Sequence, residues 1–232
     1  MNNTFKIFKY QVYDFTKAVI IFYSIIISIS LAITALVSKG LVNVSFGGME
    51  MVTAIFLFIA GLNCFKANFK FMLANNVSRK NFYFGNIIAL VSAFMALLDS
   101  MLNIVLDFNI PYEGVVMQLY KNDSFVAGFL WTFGLYTLFV CVGWFITMLY
   151  YSCNKLMKTV ISIVPVLLIA LLQYIDWISR GLVNRAVRDF LDTAMGFAYN
   201  NNVYVGALSL FIGAAAIALI CFLPLRNAIA KD

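Results

Sequence analysis

From Ala18 to Val37 the chain runs for twenty residues without a charged side chain. At about 1.5 Å per residue a helix of that length spans the roughly 30 Å hydrocarbon core of a bilayer. Mostly apolar stretches recur at Glu50 to Phe65, Phe84 to Leu106, Phe125 to Tyr151, Val160 to Asp176 and Val203 to Leu223. Such a series predicts an all-α integral membrane protein with six transmembrane helices, built as one transmembrane domain over residues 1–232. Composition agrees, with 63% hydrophobic and 11% charged residues, where soluble domains carry about 25% charged. What lies between the spans is too short for a separate soluble domain.

Several chemistries are excluded by absent residue types. The chain has no histidine, which removes serine-histidine hydrolysis, HExxH metalloprotease chemistry and histidine proton relays. It also lacks a GxxxxGK[ST] phosphate loop. No enzyme, catalytic residue, metal site or nucleic-acid partner is therefore expected on the chain itself. The four cysteines, Cys64, Cys141, Cys153 and Cys221, fall in spans or near the basic face, so a disulfide framework is not expected.

Basic residues set the expected orientation. With a cytosolic N-terminus, eleven of the sixteen Lys and Arg lie inside, while Lys39, Lys121, Arg180, Arg185 and Arg188 lie outside. That positive-inside asymmetry places both termini in the cytosol of a multi-pass plasma-membrane protein. Residues 4–17, with Phe5, Phe8, Val12 and Phe15 at helical spacing, read as an interfacial helix ahead of the first span. The apolar run after Lys17 is longer than that of a cleavable signal peptide, so it reads as a signal anchor.

Within the spans, Ser24, Ser28 and Ala32 form a ladder of small residues suited to packing within the monomer or to a dimer seam. Asp99, with Asn103 one turn later, puts an acid at membrane depth, where it either lines a substrate path or bonds a neighbouring helix. The aromatics of the fourth span, among them Trp131, Tyr136 and Trp144, read as packing or interface residues. Pro165 should kink the fifth span or release a carbonyl. Between Trp177 and Asn202, Val183, Val187, Phe190, Leu191, Ala194 and Phe197 form a helical stripe, which predicts a short external helix against the membrane before the sixth span.

The segment from Phe65 to Gly85, between the second and third spans, is basic and amphipathic. Phe65, Phe69, Met72 and Leu73 gather on one helical stripe while Lys66 and Lys70 point elsewhere. A stripe of this kind can meet lipid headgroups or a groove on a cytosolic protein. The polar Asn75, Asn76, Ser78 and Asn81 that follow suit a turn inside a protein groove.

Taken together, the N-terminal helix, six spans, the basic segment ending in Asn76-Val77-Ser78-Arg79-Lys80-Asn81-Phe82-Tyr83-Phe84-Gly85, and the external helix before the last span resemble the permease subunit of type-2 ABC exporters, particularly small Gram-positive ones such as the phenol-soluble modulin exporters. The resemblance implies that the segment between spans two and three is a coupling helix docking on a separate ATPase subunit, through Phe69, Met72, Leu73, Ser78, Arg79 and Lys80. It further implies a second permease copy or a sister permease, ATP and Mg bound only by the ATPase, and export of an amphipathic peptide or other hydrophobic compound by alternating access. Two alternatives stand beside it. One is a six-span substrate-binding component of a modular vitamin or metal uptake transporter, and the other is a non-transporting immunity or sensor protein.

Overall fold

The structure, a computed structural model, describes residues 3–39, 46–63, 92–107 and 112–227. The described residues are carried by α1 (Asn3–Ser38), α2 (Met49–Asn63), α3 (Ser92–Asp107), α4 (Val115–Tyr120), α5 (Phe125–Ser152), α6 (Lys155–Ile178), α7 (Leu182–Ala194) and α8 (Val203–Asn227), with a 3-10 turn at Phe197–Tyr199. Four of these helices are long and apolar enough to cross a membrane, over Thr16–Val37, Phe125–Ser152, Leu156–Ile178 and Val203–Cys221. The helices at the expected second and third spans, Met49–Asn63 and Phe94–Leu106, are apolar but shorter. Their continuations at residues 64–65 and 84–91 lie outside the described residues.

One expected boundary is absent. Residues 4–17 and the first span form a single 36-residue helix, because neither Gly nor Pro falls between Asn3 and Ser38 to end one segment and begin another. α6 likewise runs through Pro165 without ending.

α5 is the central helix, and it is buried on opposite sides. Ala127, Trp131, Gly134, Cys141 and Met148 follow one seam, while Thr132, Tyr136 and Gly143 follow another. A helix apolar all round, as this one is, needs neighbours on more than one side. On the first seam lies α8, whose Val203, Ala207, Leu210, Ala214 and Cys221 recur at helical spacing and are buried. On the second lies α2, at very short range. A Cβ at Gly61 would stand 2.4 Å from the Val140 carbonyl oxygen, and one at Gly143 would stand 2.3 Å from that of Phe58. Thr147 Oγ1 donates to the Leu62 carbonyl across the same crossing at 2.7 Å. In an apolar solvent such close backbone approach supplies the dispersion contacts that hold helices together.

α1 packs on this core through side chains. Tyr23, Ile26 and Ser30 face inward, Phe22 stacks on Phe56 of α2 with ring centroids 4.1 Å apart, and the Ser30 hydroxyl approaches Met49 Sδ at 3.8 Å. The Ser24, Ser28, Ala32 ladder turns the other way. All three residues are exposed, and Ser24 and Ser28 bond the carbonyls four residues back in their own helix. Packing within the monomer is therefore not the ladder's role among the described residues.

The connections at one end of the bundle are tied together. Phe46–Gly47 pairs in parallel with Tyr112–Glu113, which joins the chain entering α2 to the chain leaving α3. Tyr120 of α4 accepts from Trp131 Nε1 at 3.1 Å and donates to the Met195 carbonyl at 2.8 Å. Burial raises its pKa, which keeps the phenol protonated and able to donate. Cys141, Cys153 and Cys221 are not in disulfides.

Gly143→Ala should lower stability by about 1–3 kcal/mol, since backbone faces backbone and neither can yield. Gly128→Ala, where an added Cβ meets nothing within 4 Å, should leave stability unchanged or slightly raised. Thermal denaturation in detergent compares the two, and equal midpoints would refute the close crossing.

Candidate functional site

α3 buries Met95, Ala96, Asp99, Ser100 and Leu106, positions that share one face of a helix. Asp99 thereby enters the bundle and is 4% exposed. Its Oδ1 accepts a 2.8 Å hydrogen bond from the Tyr23 hydroxyl of α1. Its Oδ2 accepts one from the Tyr136 hydroxyl of α5. Thr53 of α2, fully buried, lies beside the same group, with its hydroxyl donating to the Met49 carbonyl at 3.4 Å. Four helices meet at one carboxyl group.

A second buried carboxylate lies one turn along both α2 and α3. Glu50, 2% exposed, accepts at Oε1 from Asn103 Nδ2 at 2.7 Å and from the Val115 backbone N–H at 3.3 Å. Val115 opens α4 after Gly114, which has no side chain to cap it, so Glu50 satisfies an amide that the helix start leaves open. Gly114 is required by that arrangement, because a Cβ there would lie 2.8 Å from Glu50 Oε1.

A cavity of about 440 Å³ opens beside this layer, under the connection between α3 and α5. Its lining includes Glu50, Ser100, Asn103, Glu113, Asp123 and Thr132, with three carboxylates and, among the described residues, no basic side chain. Apolar wall comes from Ile104, Val116, Met117 and Phe125. A mixed surface of this kind can receive a molecule with an apolar body and a polar or cationic group. Among the described residues no cluster of His, Cys, Asp or Glu could hold a metal ion.

Of the two residues expected at a substrate path, only Asn103 lines the cavity. Asp99 lies one turn deeper, bonded to neighbouring helices. Phe69, Met72, Leu73, Ser78, Arg79 and Lys80 lie outside the described residues. Glu50, Thr53, Tyr23 and Tyr136 were not singled out from sequence as members of a site. A signal was available for them: an acid at membrane depth demands donors, and a tyrosine hydroxyl on a neighbouring span can supply one.

Removing one donor from a buried carboxylate costs about 1.5–3 kcal/mol, so Tyr136→Phe should destabilise the protein by that amount. In an Asp99→Leu background the same change should cost less, because the hydroxyl has already lost its acceptor. A double-mutant cycle by thermal denaturation reads the difference, and identical costs in both backgrounds would refute the bond. The chain matches no family model, and neither a curated protein nor a solved structure is significantly similar to it.

Proposed function

We propose that the chain is the permease subunit of an ATP-driven ABC exporter, embedded in the plasma membrane as a six-span protein and completed by a separate ATPase subunit and a second permease copy or sister permease. The observation that carries a transport reading is the polar cavity beside two layers of buried carboxylate, Glu50 with Asn103 and Asp99 with Tyr23 and Tyr136. Ionisable groups at depth are costly in an anchor or scaffold and are retained where a path or a moving part needs them. The ATP-driven part of the reading rests on the basic amphipathic segment from Phe65 to Gly85. It would act as a coupling helix through Phe69, Met72, Leu73, Ser78, Arg79 and Lys80, while ATP and Mg stay on the partner. Movement is by alternating access, with ATPase closure pulling on the spans through this segment. The acidic, partly apolar cavity suits an amphipathic compound bearing positive charge.

A second reading, the substrate-binding component of a modular uptake transporter, draws support from one observation. The cavity lies under the α3–α5 connection, the side that the basic-residue asymmetry assigns to the exterior. Both readings need a separate ATPase, and direction of transport in sealed vesicles separates them.

Phe69→Ala combined with Met72→Ala should strip the ATPase from the purified permease without changing membrane insertion, since a buried anchor costs about 2 kcal/mol or more when truncated. Lys66→Ala with Lys70→Ala should retain it, because rim charges act mainly on association rate. Co-purification at equal expression is the measurement, and loss of the partner in the lysine pair alone would make docking electrostatic.

The orientation is checked separately. Single cysteines at Ser78 and at both termini should resist an impermeant thiol reagent in intact cells, while those at Asn109 and Asn201 should react. Labelling at Ser78 from outside would overturn both the topology and the coupling role.

A further inference from the structure

The cavity under the α3–α5 connection contains a polar group that the fold leaves unused. From α5 it is lined by Ser124, Gly128 and Thr132, four residues apart on one helix face. Thr132 is 3% exposed. Among the described residues its hydroxyl makes no hydrogen bond, whereas Thr137 and Thr147 of the same helix bond the carbonyls four residues back. Its oxygen is not among the unbonded atoms sealed inside the protein, so it opens into the cavity that the side chain lines. A hydroxyl at that depth without a partner is uncommon and costly to keep. Beside it, one turn away, an added Cβ on Gly128 would meet nothing within 4 Å.

The lining is graded with depth. Glu50, Ser100 and Thr132 are buried, while Glu113 and Asp123 are exposed. The Ser100 hydroxyl donates to the Ala96 carbonyl at 2.8 Å, and its lone pairs can still accept. The buried end is therefore rich in acceptors and carries negative charge, which selects a cation bearing hydrogen-bond donors. The three carboxylates are spread along the wall, and among the described residues no such group could hold a metal ion. Ile104, Met117 and Phe125, each partly exposed, provide apolar wall toward the opening. At about 440 Å³ the space is small. A ten-residue helix, about 15 Å long and 10 Å wide, would fill roughly 1,200 Å³, so a folded peptide does not fit.

We propose that this cavity binds a small organic primary amine. Thr132 Oγ1 accepts from its ammonium group at the buried end, Glu50 supplies the opposing charge, and its apolar body lies along Ile104, Met117 and Phe125. The assignment narrows the cargo of the proposed transporter and rests on that reading for its role. An ammonium group brings three donors and no acceptor, which suits an end built of acceptors. Glu113 and Asp123 at the opening raise the local concentration of cations.

The test measures binding of tritiated phenethylamine to the purified full-length protein in neutral-detergent micelles, with phenethyl alcohol and phenethyltrimethylammonium as competitors. The amine should bind saturably. Both competitors should displace it roughly tenfold less well or worse, since one lacks the charge and the other the N–H donors. Thr132→Val, which keeps the shape and removes the hydroxyl, should raise Kd roughly tenfold or more. Gly128→Leu, which fills the open space and leaves every polar group in place, should abolish binding. No saturable binding, or equal displacement by the alcohol, would overturn the proposal and leave the cavity to water. Unchanged affinity in both variants would overturn it as well, because the amine would then sit elsewhere. If Thr132→Val fails to fold, the competitors and Gly128→Leu still decide. The transport reading is checked apart from the site, by ATP-dependent movement of the same amine into inside-out membrane vesicles. Binding without movement keeps the site and counts against export, whereas absence of binding removes the site whatever the vesicles show.

Discussion

A carboxylate taken out of water inside an apolar bundle must be surrounded by donors, and in this protein that requirement decides how the helices assemble. Among the described residues Asp99 meets no basic partner and accepts from two hydroxyls, those of Tyr23 on α1 and Tyr136 on α5. Lipid cannot supply the missing bonds, so any arrangement that separates α1 or α5 from α3 leaves a buried charge or a buried hydroxyl unsatisfied. Helix association in lipid lacks a hydrophobic driving force between the helices. The Asp99 cluster gives direction to packing that apolar contact alone would leave loosely specified.

Close packing then does what the polar cluster cannot. Gly61 and Gly143 bring α2 and α5 to within backbone contact, and Gly134 brings α5 close to α8, where a Cβ would lie 3.2 Å from the Ala207 carbonyl oxygen. Gly134 and Gly143 lie on opposite sides of α5, which explains why that helix can be buried twice. With α2 drawn in, Glu50 and Thr53 face α3 at the heights of Asn103 and Asp99, so the two carboxyl layers follow from one helix crossing.

The parts of this arrangement that were legible in the sequence are those governed by local pattern. Spanning helices at the first, fourth, fifth and sixth stretches follow from uninterrupted apolar length, and α7 from its stripe, because each signal is complete within its own segment. The inward position of Asp99 was legible under both readings of it, since the cost of an acid in lipid is a local fact, and its bonding to neighbouring helices was one of the two. Which groups meet it was not. Tyr23 and Tyr136 are 113 residues apart in the chain, and in an aromatic-rich sequence a hydroxyl that bonds an acid looks the same as one in an interface belt. Glu50 posed a related difficulty: it marked only the start of a span in the sequence, and its partners Asn103 and Val115 come from distant segments. The Ser24, Ser28, Ala32 ladder shows the converse, a local pattern with a known use that faces away from the described bundle.

Cohesion is distributed unevenly, and that bears on how such a bundle could work. α2, α3, α5 and α8 share glycine crossings, buried seams and the carboxyl layers, whereas α6 contributes no buried residue from its apolar window. α6 is attached chiefly at its ends. Near one end Tyr150 of α5 bonds Ser162, and at the other Asp176 caps α7, whose far end Tyr120 ties to the core. Among the described residues the side-chain bonds that locate α6 are few, at Ser162 two turns in and at the buried Asp176 near its end. The Asp99 cluster is tied more tightly, since its donors come from two other helices. Among the described residues α6 is therefore less firmly tied to the carboxyl-bearing core than α2, α3, α5 and α8 are.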